Sequence, residues 1–181
     1  QHQTINSPSH RQIRHHLYAP GSPFDVSEDD AVRLTNRTIN DLASGKKIGA
    51  WGLTESASGS DAAGLLSTAA KNGNYYVLNG SKQFTTHGTV GETYVVMAIT
   101  NKEAAKKGIS AFILEKGFEG LIIGKKENKL GMRASDTTQL AFENCKVAAE
   151  NLLGEEGMGF INSMKVLEGG RISIAACSVG L

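Results

Sequence analysis

Asn74-Tyr-Tyr-Val-Leu-Asn-Gly-Ser-Lys-Gln-Phe-Thr-Thr86 is the stretch that decides the fold class. Tyr, Val, Phe and Thr fit a pleated, half-buried surface, so this reads as strand. Asn79-Gly80 lies between two such runs, Asn74–Leu78 and Ser81–Thr86. That dipeptide is the strongest short-range hairpin signal, and it predicts two strands joined at 79–80. Outward from there the texture repeats. Ile48–Leu53, Leu121–Ile123 and Thr137–Phe142 read as strands, and the apolar runs Tyr94–Ile99 and Ile109–Leu114 suit buried ones. Seven or eight short strands within about 100 residues predict a mainly β fold, a barrel or a sandwich.

Helices flank this block. Glu28, Asp29 and Asp30 sit where a helix dipole favours negative charge, Ser27 can cap, and Ala31, Leu34, Thr38 and Leu42 follow at helical spacing. Gly45 is a C-terminal stop, so a helix over 28–44 is expected. After Gly154-Glu-Glu-Gly157 the period changes again, and Phe160, Met164, Leu167, Ile174 and Val179 predict a second helix running to Leu181. Gly169 and Gly170 each cost that helix up to about 1 kcal/mol against Ala, so close approach of a neighbour or ligand is expected there. Residues 1–24 read as a polar arm, in which the adjacent His15 and His16 cannot share one helix face as metal ligands. The first residue is Gln1, and a segment upstream is expected.

The 181 residues carry a net charge of +1, which implies neither a nucleic-acid footprint nor an acidic tail. Lys102, Lys106, Lys107, Lys125, Lys126 and Lys129 read as solvated loop charges. The two cysteines, Cys145 and Cys177, form no metal-spaced set and suit a reduced interior. No apolar run reaches the ~20 residues of a membrane span.

Four constellations offer chemistry. Thr54-Glu-Ser-Ala-Ser-Gly-Ser-Asp61 follows a strand and is dense in hydroxyls and small residues. Its backbone N–H groups can wrap a ring edge or a pyrophosphate. Equally, it reads as a turn whose Ser and Asp side chains cap their own backbone. Phe84-Thr-Thr-His87 sets an aromatic beside hydroxyls, suited to a planar cofactor or simply to a strand, with His87 a candidate base. Glu168-Gly-Gly-Arg171 places opposite charges at i, i+3, an ion pair or a ligand site. Gly157-Met-Gly159 is a candidate anion nest. There is no Gly-x-Ser-x-Gly elbow, Walker A loop or Rossmann fingerprint.

Eight segments in this order resemble the acyl-CoA dehydrogenase family over about residues 41–181. They are Leu42-Ala-Ser-Gly-Lys-Lys-Ile-Gly-Ala-Trp-Gly-Leu-Thr-Glu55, Gly59-Ser-Asp61, Tyr76-Val-Leu-Asn-Gly-Ser-Lys82, Gly108-Ile-Ser-Ala-Phe-Ile113, Gly124-Lys-Lys-Glu-Asn-Lys-Leu-Gly-Met-Arg133, Phe142-Glu-Asn-Cys145, Asn151-Leu-Leu-Gly-Glu-Glu-Gly157 and Gly169-Gly-Arg-Ile-Ser-Ile-Ala-Ala176. The resemblance implies the end of an N-terminal helical domain over 1–46, a middle β-domain, barrel or orthogonal sandwich, over 47–156, and the first helix of a C-terminal bundle over 157–181. It implies an FAD cofactor met by Trp51, Leu53, Thr54, Ser60, Phe84, Thr85 and Thr86. Thr86 matches the position that hydrogen-bonds flavin N5. Ser60, Glu168 and Arg171 match positions near the CoA thioester arm and nucleotide.

The implied activity is α,β-dehydrogenation of an acyl-CoA, short- or branched-chain, with electrons passed to an electron-transfer flavoprotein. A homotetramer or homodimer is implied, in a bacterial cytoplasm or, in a eukaryote, the mitochondrial matrix. An acyl-CoA oxidase or nitroalkane oxidase relative, or a non-catalytic flavin-binding β-domain, are the alternatives. This sequence departs from the family pattern at Ser56, usually Pro, and at Phe84, usually Trp. The catalytic carboxylate is expected beyond Leu181, because the position used by a minority of members is Gly170.

Overall fold

The computed structural model describes residues 28–180. The polar arm, the adjacent histidines and the Ser27 cap lie outside the described residues. Two helices, α1 (Glu28–Ala43) and α2 (Gly159–Gly180), flank seven strands: β1 (Gly49–Gly52), β2 (Thr68–Asn72), β3 (Tyr75–Thr86), β4 (Thr93–Ile99), β5 (Ile109–Glu115), β6 (Leu121–Ile123) and β7 (Thr137–Ala148). Gly45 ends α1 in the left-handed region, φ +72°, its N–H donating to the Leu42 carbonyl. No described helix is long and apolar enough to cross a membrane.

The strands form two groups, β2-β3-β7-β6 and β1-β4-β5, joined where Thr68 pairs with Ile99. Tyr76, Leu78, Leu140, Phe142, Cys145 and Val147 of the first group meet Tyr94, Val96, Phe112 and Leu114 of the second in one core. The Tyr76 and Phe112 rings cross it edge-to-face, 4.9 Å between centroids. Alternate residues of β4 and β5, with Leu65, Trp51, Leu53 and Phe160, make a second core on the opposite face. The β4–β5 pair is therefore buried on both sides, which is why its sequence is continuously apolar. On the other flank Arg37 of α1 bonds Glu115 at 2.7 Å, and Lys47 joins the same carboxylate at 3.3 Å.

The hairpin expected at Asn79-Gly80 is not there. β3 is one twelve-residue strand, and the turn lies a strand earlier, at Gly73-Asn74, where Asn72 pairs with Tyr75. The β2 run Thr68-Ala-Ala-Lys-Asn72 carries too few β-branched or aromatic residues to read as strand alone. Asn79-Gly80 instead faces a bulge. Leu78 pairs with Cys145 but Gly80 pairs with Phe142, so β7 holds one extra residue there, and Asn144 adopts φ +49°. The Asn79 side chain accepts from the Asn144 N–H at 2.9 Å. Gly80, φ +137°, lies close against Ser67, the residue before β2: a Cβ would meet the Ser67 Oγ and sit 2.7 Å from its Cα. A second bulge has the opposite sense. Lys82 pairs with Leu140 but Thr85 with Thr138, the extra residue now lying on β3, with Phe84 at φ +54°.

Candidate functional site

The second bulge positions the site. Along β3 the inward residues are Tyr76, Leu78 and Lys82; past the bulge the phase changes, Thr85 is buried and Phe84 points out, 68% exposed. A bulky residue with positive φ holds a strained backbone, a condition that concentrates at functional sites. Thr86 is exposed beside it. Thr85 turns inward and its Oγ1 has no partner, so of the two threonines only the Thr86 hydroxyl reaches the surface.

The 53–61 loop lies alongside, with Gln83 N–H donating to the Thr54 carbonyl at 2.8 Å. Both readings of this loop hold, for different residues. Ser58 donates to the Asp61 carbonyl at 2.6 Å, Asp61 accepts from Ala63 N–H, and Glu55 and Ser58 exchange backbone hydrogen bonds. Among the described residues, the N–H groups of Thr54, Ser56, Gly59 and Ser60 donate to no protein acceptor. Ser56 and Ser60 are exposed. An outward aromatic ring, an exposed hydroxyl and a row of unspent donors fit a flat ligand with an acceptor-rich edge and anionic groups.

Beneath the loop lies a feature that the sequence reading assigned no role. Lys82 is 0% exposed, and its Nζ stands 2.6 Å from Glu55 Oε1 and 3.4 Å from the Leu53 carbonyl. The Glu55 carboxylate, 7% exposed, also accepts from Leu66 N–H at 2.6 Å and Ser67 N–H at 3.1 Å. Burial raises the carboxyl, but the Lys82 charge and the bonds from Lys82, Ser67 and Leu66 outweigh it and hold Glu55 below its ordinary value. Burial pushes the Lys82 ammonium down, with Glu55 opposing. The signal was available: a lysine at an inward position of an apolar strand needs a buried carboxylate.

The other candidates stand apart. His87 is exposed, and its Nδ1 lies 3.2 Å from the Gly49 carbonyl, which can only accept, so that nitrogen carries the proton and tethers β3 to β1. The Gly157-Met-Gly159 nest is not open: Gly157 N–H donates to Ser110 Oγ at 2.8 Å and Met158 N–H to the Glu155 carbonyl. Among the described residues, Glu168 and Arg171 are exposed on α2 and form no ion pair or side-chain hydrogen bond, and nothing comes within 4 Å of a Cβ built at Gly169 or Gly170. The close neighbour expected at those glycines is absent among the described residues. Both cysteines are free, and no group of three described His, Cys, Asp or Glu side chains could hold a metal.

Frame and loop define a β-domain whose one strand end fits a planar, anion-bearing small molecule. The chain belongs to the acyl-CoA dehydrogenase family: the family described as "Acyl-CoA dehydrogenase, middle domain" matches residues 50–145. It is 54% identical over 156 residues to the short-chain specific acyl-CoA dehydrogenase of Clostridium acetobutylicum, across 86% of this chain and 41% of that protein. Among solved structures it is similar to butyryl-CoA dehydrogenase from Megasphaera elsdenii, with 47% identity and TM-score 0.77, over 80% of this chain and 38% of that one. It is also similar to a chain in the structure of the electron transferring flavoprotein of Acidaminococcus fermentans, with 48% identity and TM-score 0.78, again over 80% and 38%. The chain thus spans about two-fifths of the length of these relatives.

Proposed function

We propose that this chain is the flavin-binding part of an enzyme that dehydrogenates a short- or branched-chain acyl-CoA between its α and β carbons. The observation that carries the reading is the lateral bond from Gln83 to Thr54, which joins the donor-rich loop to the outward Phe84 and Thr86. The short-chain relative supports the substrate class.

FAD, when bound, supplies the hydride acceptor, and this chain's residues orient it. The backbone at Trp51, Leu53 and Thr54 binds the pyrimidine edge. Phe84 packs on the ring and Thr86 donates to it, while Thr85, expected to meet the cofactor, turns its hydroxyl inward and away from it. Ser60 binds phosphate oxygens and the thioester arm, and Glu168 and Arg171 serve the CoA. Gly170 leaves α2 without a carboxylate between Glu168 and Arg171, so none of these residues takes the α-proton. In this reading residues 1–46 close an N-terminal helical domain, 47–156 form the middle domain and 157–181 open a helical bundle. The working protein is a homotetramer or homodimer that hands electrons to an electron-transfer flavoprotein, in a bacterial cytoplasm or a mitochondrial matrix. The similarity to a chain in an electron transferring flavoprotein structure supports that acceptor.

The test is anaerobic titration of the full-length protein with butyryl-CoA. Bleached flavin absorbance, restored by an acceptor dye but not by oxygen, is expected. Retained flavin without bleaching favours a binding module, and rapid reoxidation by oxygen favours an oxidase. Thr86→Ala should weaken FAD binding about fivefold, the worth of one neutral hydrogen bond; unchanged affinity and spectrum would remove Thr86 from the site.

A further inference from the structure

The buried Glu55–Lys82 pair has no part in the proposed flavin contacts, yet it is bonded to or adjoins the backbone beside several of them. Lys82 bonds the Leu53 carbonyl, and Glu55 directly follows Thr54. Lys82 stands two residues before Phe84, and the intervening Gln83 bonds Thr54. The far side of the carboxylate holds Leu66 and Ser67, which lead into β2 and lie close against Gly80 of β3. Three chain segments therefore take their relative heights from one ion pair. The backbone above it is cut to admit the lysine stem: a Cβ at Gly52 would lie 3.0 Å from Lys82 Cγ and 3.2 Å from Val96 Cγ1.

Stability alone is a poor account of this arrangement. A buried ion pair replaced by well-packed apolar side chains is often neutral or more stable, whereas removing one partner is strongly destabilising. What apolar side chains cannot supply is direction: charge-assisted hydrogen bonds fix both distance and angle. We propose that Glu55 and Lys82 are positioning residues that set the spacing between Leu53–Thr54 and Phe84–Thr86, and through it the affinity and electronic environment of the flavin. The proposal rests on the flavin-binding function proposed for this chain.

The experiment uses the full-length protein as wild type and as Glu55→Gln, Lys82→Met and the double variant Glu55→Leu/Lys82→Met. Each is measured for urea midpoint, FAD dissociation constant and visible circular dichroism of the bound flavin. Both single variants should lose urea midpoint and bind FAD about tenfold more weakly, the loss of one to two hydrogen bonds' worth of alignment. The double variant should recover most of the midpoint while its FAD affinity stays about tenfold down and its dichroism band stays shifted. Recovery of affinity together with midpoint, or single variants within about twofold of wild type for FAD, overturns the proposal. Should the double variant not fold, Glu55→Asp decides. It keeps the charge and shortens the reach by one methylene, so a shifted band is expected and an unshifted band with wild-type affinity refutes. Wild-type protein that binds no FAD sinks the flavin-binding function itself, and that control is read before any variant.

Discussion

Gly73→Asn and Gly80→Asn make the same chemical change at two positive-φ glycines, with opposite expected outcomes. Gly73 occupies the true turn at φ +61°, with no heavy atom within 4 Å of the place a Cβ would take. Asn tolerates that conformation through local hydrogen bonding, so a change below about 1 kcal/mol is expected. Gly80 at φ +137° lies outside the left-handed well that Asn visits. Strained backbone there costs of order 1–3 kcal/mol. The new Cβ also drives into Ser67, 2.7 Å from its Cα. Backbone cannot swing aside as a side-chain tip does, and overpacking of this kind adds typically 1–3 kcal/mol. The sum is about 4 kcal/mol for Gly80→Asn, a fall of roughly 8–16 °C in Tm for a chain of this size. Urea unfolding followed by far-UV circular dichroism gives the free energy, and a thermal scan gives Tm. If Asn79-Gly80 worked as a hairpin turn, Asn at 80 would be nearly neutral. A loss below about 1 kcal/mol there, or an equal loss at Gly73, refutes the assignment of bulge and turn.

Two further outcomes follow from buried groups. The Glu55 carboxyl is held below its ordinary value in the folded state, so its contribution is present above the unfolded value near 4.5 and lost as pH falls through the folded one. Urea midpoints should fall across that acid range in wild type and fall less in Glu55→Gln; equal slopes would show that the carboxylate does not titrate with folding. Cys145 is 0% exposed, and burial pushes its thiol up to about 11. Peptide mapping after treatment with a thiolate-selective reagent at about pH 8, near the ordinary thiol range, should find Cys145 unmodified until urea unfolds the protein. Equal labelling in native and unfolded protein would contradict its burial.

The elements that sequence alone made legible are those whose own residues fix them. Tyr94–Ile99 and Ile109–Leu114 read as buried strands because both faces of β4–β5 are covered, and α1 read as a helix from its acidic start and Gly45 stop. Asn79-Gly80 misled because a turn signal is local, whereas the Ser67 backbone that lies close against Gly80 and the bulged Asn144 on β7 are distant in sequence. The loop at 54–61 read two ways because Ser58 and Asp61 do cap their own turn while Ser56 and Ser60 do not. Its support was hidden for the same reason as the bulge. Glu55 and Lys82 are 27 residues apart, and only the fold reveals that they share a site.

The two bulges between β3 and β7 have equal size and opposite sense, so they act as a phase shift and its reversal. Tyr75 to Leu78 and Thr85 to Thr86 keep one common alignment with β7, while Gly80 to Lys82 run one residue out of step. In that short window Leu140 and Phe142 turn inward, and on leaving it Phe84 turns outward. Length changes at the bulges are therefore absorbed locally. Deleting Gln83 leaves one residue on each strand between the Lys82–Leu140 and Thr85–Thr138 pairs, and deleting Asn144 does the same between Leu78–Cys145 and Gly80–Phe142. Either deletion closes the ladder and keeps the pairs on both sides. A deletion away from the bulges has no spare residue to consume, so it slips the register and reverses which side chains face the core.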